Sequence, residues 1–85
     1  MSNLTHAKIK IRGKSWKIIF RPVPCEPSLY GICDYDTHTI HVHPKMEPKG
    51  TLIHEVLHAC LPDLSETAVD ETERAITKAL AILEL

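Results

Sequence analysis

The feature that most constrains this chain is the pentapeptide His-Glu-Val-Leu-His at residues 54–58, inside a segment whose apolar spacing predicts a helix. An α-helix completes a turn in about 3.6 residues, so His54 and His58 lie one above the other on the same face. Two imidazoles at this spacing can share one tetrahedral Zn²⁺, with Glu55 beside the fourth, water-occupied position. The pentapeptide therefore predicts a helix with two zinc ligands and a carboxylate suited to proton transfer.

The composition indicates one small globular domain covering residues 1–85. Apolar residues make up 44% of the chain and charged residues 25%, which are ordinary fractions for a folded protein. These fractions argue against global disorder and against a coiled coil. A chain of this length buries only a thin core, so a bound metal would add to its stability.

The cysteines and the N-terminal segment predict a cytoplasmic protein. Cys25, Cys33 and Cys60 are an odd number without a C-x-x-C pair, which favours reduced thiols over a disulfide framework. Residues 1–10 contain no apolar segment typical of a secretory signal, and no apolar run is long enough to cross a bilayer. We therefore expect no membrane partner.

Alternating polar and apolar residues predict about four antiparallel strands in the first half of the chain. Residues 7–12 and 16–20 alternate around Gly13-Lys14, which is typical of a β-hairpin. Three prolines in residues 21–27 predict a loop, because proline cannot donate to a strand ladder. Residues 30–35 and 38–43 then form a second predicted hairpin.

The second half predicts two helices joined as an antiparallel αα-hairpin, so the expected fold class is α+β. The first helix covers residues 49–60, and its buried stripe comprises Leu52, Ile53, Val56, Leu57 and Cys60. We expect the two histidines at the edge of this stripe and Glu55 further toward the polar side. Asp63 and Glu66 have the spacing of a capping box, which would begin the second helix. The apolar spacing of that helix predicts an inner face made of Ala68, Thr72, Ala75, Ile76, Ala79, Leu80 and Leu83.

A catalytic zinc needs a third protein ligand, and no histidine follows His58. The ligand is therefore acidic or lies upstream. The first turns of the second helix offer Glu66, Asp70, Glu71 and Glu73. Glu66 is assigned to the cap and Asp70 to the solvent side, whereas Glu71 borders the expected inner face. We predict Glu71 as the third ligand, with Glu73 as the alternative.

The pentapeptide followed by a helix-borne glutamate resembles the gluzincin group of zinc metallopeptidases, and residues 30–80 carry the likeness. The minigluzincins and the ImmA/IrrE-type proteases are the nearest comparisons, and the SprT-like proteases are more distant because they use a third histidine. The resemblance implies that His54, His58 and Glu71 bind zinc and that Glu55 is the base. It also implies that residues 39–43 form an edge strand which pairs with an extended substrate. A β-hairpin stands here where these families usually have a backing helix.

The chemistry expected of such a site is zinc-dependent hydrolysis of a peptide or protein substrate. Glu55 would take a proton from a zinc-bound water that attacks the scissile carbonyl, and would pass it to the leaving amine. A second group that stabilises the oxyanion would come from among His41, His43, Tyr30 and Tyr35. The alternative is a non-catalytic, zinc-stabilised module that binds protein or DNA through the N-terminal hairpin.

Basic residues are concentrated at the start of the chain, where six precede the first acid: Lys8, Lys10, Arg12, Lys14, Lys17 and Arg21. Their alternation with isoleucines predicts that Lys8, Lys10 and Arg12 form the solvent face of a strand whose Ile9 and Ile11 point inward. A basic patch for nucleic acid is the second interpretation, and it is not favoured by the sequence alone.

Overall fold

The computed structural model describes residues 6–84, which form a four-stranded mixed sheet packed against two helices. The elements are β1 (His6–Ile11), β2 (Lys14–Ile19), β3 (Gly31–Asp34), β4 (Thr39–Val42), α1 (Pro48–Cys60) and α2 (Glu66–Leu83). The predicted α+β fold class is confirmed. Neither helix contains an apolar stretch long enough to cross a membrane. Residues 1–5, half of the segment used to predict the absence of a secretory signal, lie outside the described residues.

The first hairpin, β1–β2, closes through a two-residue turn. Arg12 and Gly13 have φ angles of 52° and 80°, and a positive φ at both central residues is typical of the type I′ turn that suits twisted strands. Ile11 therefore pairs with Lys14, and Lys8 pairs with Lys17 further along the ladder. The predicted hairpin is confirmed, with its turn one residue earlier than expected.

The second hairpin, β3–β4, is also confirmed. Its turn is stabilised by the Asp34 side chain, whose Oδ1 accepts hydrogen bonds from the backbone N–H groups of Asp36 at 3.0 Å and Thr37 at 3.3 Å. Ile40 and Val42 on β4 are fully buried, in agreement with the alternation of the sequence. Together the two hairpins supply the four strands that the sequence predicts.

The prediction that residues 39–43 form an edge strand is wrong. The strand order is β1-β2-β4-β3, so β4 lies inside the sheet, antiparallel to β3 and parallel to β2. This parallel pairing places Ile18 beside Ile40 and joins the apolar faces of the two hairpins into one core. The strand left at the edge near the helices is β3.

One face of the sheet carries the core, and α1 packs on it. The buried apolar residues are Ile11, Trp16, Ile18, Ile40, Val42 and Ala59, with Leu52, Val56 and Cys60 of α1 packed against them. Ile9 lies on this face as predicted, because it pairs with the buried Trp16, but it remains 36% exposed since β1 is the outer strand on the side away from α1.

Helix α2 begins later than the sequence predicts, and a different side of it is buried. Its N-cap is Ser65, whose Oγ accepts a hydrogen bond from the Ala68 N–H at 3.1 Å, so the capping box from Asp63 to Glu66 is not formed. Val69 is fully buried, whereas Ala75, Ala79 and Leu83 are exposed. The buried face is therefore rotated by about one residue from the predicted one. Contacts with α1 run from Glu66–His58 through Glu73–His54 to Glu84–Lys49.

Candidate metal centre

The two histidines of the pentapeptide lie side by side on α1, facing α2. The ring centroids of His54 and His58 are 4.9 Å apart, and the side chains are 19% and 16% exposed. Helix α1 starts at Pro48, which suits the first helical position because that residue has no N–H to satisfy. The spacing of four residues thus produces the shared face that the sequence predicts.

Glu66 of α2 approaches both rings at once. Its Oε1 lies 3.3 Å from His54 Nε2, and its Oε2 lies 3.0 Å from His58 Nε2. The three side chains form a group whose potential ligand atoms all lie within 4.8 Å of one another. Two imidazole nitrogens and one carboxylate oxygen are the donor set found in catalytic zinc sites. These residues therefore fit a zinc ion.

The other nitrogen of His54 lies between two further carboxylates. His54 Nδ1 is 3.3 Å from Asp70 Oδ1 and 3.2 Å from Glu73 Oε1. A carboxylate partner places the ring proton on Nδ1, which leaves the Nε2 lone pair directed at a metal. Glu66, Asp70 and Glu73 reach His54 together because positions separated by four and then three residues share one face of a helix.

His54, Asp70 and Glu73 also form a second group that could hold a metal through Nδ1. That group leaves out His58, whose Nε2 is within 3.0 Å of Glu66. The group with Glu66 uses both histidines and leaves Asp70 and Glu73 as orienting partners. It accounts for more of the arrangement, and we take it as the candidate metal centre.

Glu71, the predicted third ligand, is not brought to the histidines. It is exposed on α2 and belongs to neither group of potential ligands. Glu73, the alternative, contacts the Nδ1 atom of His54 rather than the side that faces His58. Glu66 was assigned to the cap by the sequence, but Ser65 caps the helix and leaves the Glu66 side chain free to reach α1. The serine directly before the helix was the available signal.

Glu55 lies on the sheet side of α1 rather than toward its polar side. The residue is only 9% exposed, and it shares the buried side of the helix with Thr51 and Ala59. No hydrogen bond to its carboxylate is formed within residues 6–84. Burial raises the pKa of Glu55, the neighbouring charges of His54 and His58 oppose that shift, and Glu66 adds to it. The prediction that Glu55 lies toward the polar side of the helix is thus wrong, although the residue does line two cavities.

Gly31 explains how β3 comes so close to α1. A Cβ at this position would lie 2.5 Å from Thr51 Cγ2 and 2.7 Å from the His41 carbonyl oxygen, and 3.5 Å from Glu55 Cγ. Any larger residue would push the strand away from the helix. The glycine therefore allows the edge strand to lie directly against the helix that carries the histidines.

Two cavities meet at this point along β3. One of about 590 Å³ is lined by residues that include Tyr30, Glu47 and Glu73. The other, of about 280 Å³, is lined by residues that include Cys33, Tyr35 and Glu66. Gly31, His54 and Glu55 line both cavities. The cleft thus extends to either side of the Glu55 carboxylate, with the candidate metal centre along it.

The four residues proposed to stabilise an oxyanion are separated by the fold. Tyr30 and Tyr35 line the two cavities, and the Tyr35 hydroxyl donates a hydrogen bond to the His58 carbonyl oxygen at 2.8 Å. His41 alternates with the buried Ile40 and Val42, so it lies on the opposite face of the sheet. His43 accepts a hydrogen bond from the Lys45 N–H through Nδ1. Of the four, only Tyr30 and Tyr35 line these cavities, and Tyr35 would have to give up its hydrogen bond to the His58 carbonyl oxygen before it could donate to an oxyanion.

Comparison of the chain with protein-family models, with curated proteins and with solved structures found no match.

Proposed function

We propose that this protein is a zinc-dependent peptidase in which His54, His58 and Glu66 hold the metal and Glu55 is the general base. The observation that carries the proposal is the convergence of the two Nε2 atoms on one carboxylate, at 3.3 and 3.0 Å, beside a cleft that contains a buried carboxylate. A structural zinc site is usually closed by four protein ligands, whereas a catalytic site has three and an open position. The donor set here has three members.

A zinc ion held by these residues supplies a Lewis acid that acidifies water and polarises a carbonyl group. Glu55 lies next to His54 in sequence, and its carboxylate has no hydrogen-bonding partner within residues 6–84, so it is free to accept a proton from the attacking water. The same carboxylate then gives the proton to the leaving amine. Asp70 and Glu73 hold His54 in the tautomer that the metal requires.

The edge strand β3 gives a route for substrate binding. In residues 6–84, β3 pairs with β4 on one side and leaves its other backbone edge without a strand partner. An extended peptide can add to such an edge through main-chain hydrogen bonds. A peptide on β3 would pass Gly31 and Glu55, where the two cavities meet. We therefore propose β3, and not residues 39–43, as the edge strand that pairs with an extended substrate.

The test compares wild-type protein with Glu55→Gln, both loaded with zinc and incubated with unfolded casein and a mixed peptide pool. We expect the wild type to cleave substrate, and Glu55→Gln to retain about one zinc per chain while its cleavage rate falls by at least about a hundredfold. Glu71→Gln is the control with the same chemical change on the exposed side of α2.

Two results would contradict the proposal. One is zinc-loaded wild type that cleaves nothing in the pool, which would favour the non-catalytic module. The other is a Glu55→Gln variant that cleaves at the wild-type rate.

A further inference from the structure

The face of the β1–β2 hairpin that points away from α1 carries a row of exposed cations. Lys8 and Lys10 alternate with inward residues on β1, and Lys17 lies between the buried Trp16 and Ile18 on β2. Arg21 follows β2 and lines a shallow cavity of about 170 Å³ with His6, Lys17 and Ile19. We call the surface formed by Lys8, Lys10, Lys17 and Arg21 the basic face.

The other two cations of this segment lie elsewhere. Arg12 and Lys14 line a separate cavity with Trp16 and Ala59, on the side of the sheet that faces α1. The six basic residues that the sequence groups together are therefore divided by the fold into a row of four and a pair. Lys14 consequently offers a control within the same hairpin.

The cations of the basic face lack a close acidic partner in the part of the chain that the structure describes. Within residues 6–84, none of its four cations forms an ion pair, and Lys8 lies directly opposite Lys17 in the antiparallel ladder. Like charges in directly opposed positions destabilise a hairpin. A bound anion would remove that repulsion, whereas water and salt only weaken it.

The shape and chemistry of the basic face fit an extended polyanion. Several cations spread over two strands suit repeated phosphates better than a single small anion. Single-stranded nucleic acid is usually held by aromatic side chains that stack on bases, and the outward residues of β1 and β2 include no Phe, Tyr or Trp. A bilayer surface is usually held by an amphipathic helix or inserted apolar residues as well as by charge.

We propose that the basic face binds the phosphate backbone of double-stranded nucleic acid without reading its sequence. The acidic residues that surround His54 lie on α2, which packs against α1 and not against the outward face of the sheet, so they do not oppose the approach of a duplex to this face. Asp34 on β3 shares the outward face but is separated from Lys17 by β4. This inference is independent of metal binding and of catalysis at the candidate metal centre.

The test measures the fluorescence anisotropy of a labelled duplex of about 20 base pairs with full-length protein at several salt concentrations. Four phosphate contacts, each contributing about −0.9 to the slope of log affinity against log salt, predict a loss of roughly a hundredfold between about 50 and 200 mM salt. Lys8→Glu/Lys17→Glu should weaken binding at about 100 mM salt by at least about tenfold. The matched control Lys45→Glu/Lys78→Glu, which makes the same charge change at exposed positions elsewhere, should stay within about twofold.

Folding is checked with Lys17→Glu alone, which places opposite charges across the ladder and should raise the melting temperature while it weakens binding. Three results would overturn the inference: no binding to the duplex at low salt, equal losses in the two double variants, or binding to phosphatidylserine-containing vesicles without binding to the duplex.

Discussion

The α1–α2 side of the molecule and the basic face both concentrate ionisable side chains, but they arrange them in opposite ways. Around His54, imidazoles and carboxylates from two helices approach to between 3.0 and 3.3 Å. The two imidazoles are largely shielded from water, whereas the Glu66 side chain is 71% exposed. On the basic face, cations lie next to cations and are exposed to solvent. Convergence of different donors defines a site for one small ion, whereas a row of like charges suits a long polyanion.

The largest difference between the two sides is expected when one histidine is removed from each. His54→Ala should lower zinc affinity by on the order of a thousandfold, because it removes one of three protein ligands and structural zinc sites bind with about 10–16 kcal/mol in total. His6→Ala on the sheet side should leave the affinity unchanged. Competition with a chromogenic chelator measures both, and equal losses in the two variants would contradict the assignment.

The carboxylates behind His54 provide the next largest effect. Asp70→Asn leaves Glu73 as a partner for Nδ1 and should lower zinc affinity by about tenfold, whereas Asp70→Asn combined with Glu73→Gln should lower it by about a hundredfold. The same chelator competition gives the values. If the double variant binds zinc as tightly as the wild type, neither residue orients the ligand.

Cysteine reactivity compares a thiol beside the cleft with a thiol that is exposed to solvent. Burial beside the cleft raises the pKa of Cys33 from 9.0 to about 11, although the neighbouring Tyr35 hydroxyl opposes the shift. Because the thiolate is the reactive form, Cys33 in zinc-free protein should be alkylated slowly near neutral pH and faster as the pH approaches 11. The exposed Cys25 is the internal reference. Mass spectrometry measures the alkylation rate of each cysteine. Equal rates for Cys33 and Cys25 near neutral pH would contradict the raised pKa of Cys33.

The smallest expected effect is on the basic face. Lys17→Glu replaces the repulsion with Lys8 by attraction and should raise the free energy of unfolding by about 0.2–1 kcal/mol. Lys14→Glu, in the same hairpin but opposite Ile11, should not give this gain. Urea titrations of both variants measure the difference, and a gain in Lys14→Glu alone would refute the assigned register.

Local signals in the sequence predicted the elements but not their assembly. Alternation predicted both hairpins, and the three prolines in residues 21–27 predicted the loop between them. The pairing of β2 with β4 joins edges of two separate hairpins, which no local pattern specifies. On α2, alanines on several sides made the apolar face ambiguous, and Val69 alone is fully buried there.

In the candidate site, too, the features set by local sequence could be predicted and those set by the assembly could not. The histidine pair and Glu55 follow from spacing within one helix, so they could be identified directly. Glu66 depends on which residue caps α2, because Asp63 and Ser65 both suit an N-cap and only Ser65 frees Glu66. The burial of Glu55 depends on Gly31, which lies 24 positions earlier on another element.

The most direct test of the metal centre is the zinc affinity of Glu66→Gln beside that of Glu71→Gln. The two changes are chemically identical and affect the same helix. We predict about one zinc per chain in the wild type, a loss of at least about a hundredfold in affinity for Glu66→Gln, and wild-type affinity for Glu71→Gln. A loss in Glu71→Gln with none in Glu66→Gln would contradict the assignment of Glu66 as the third ligand.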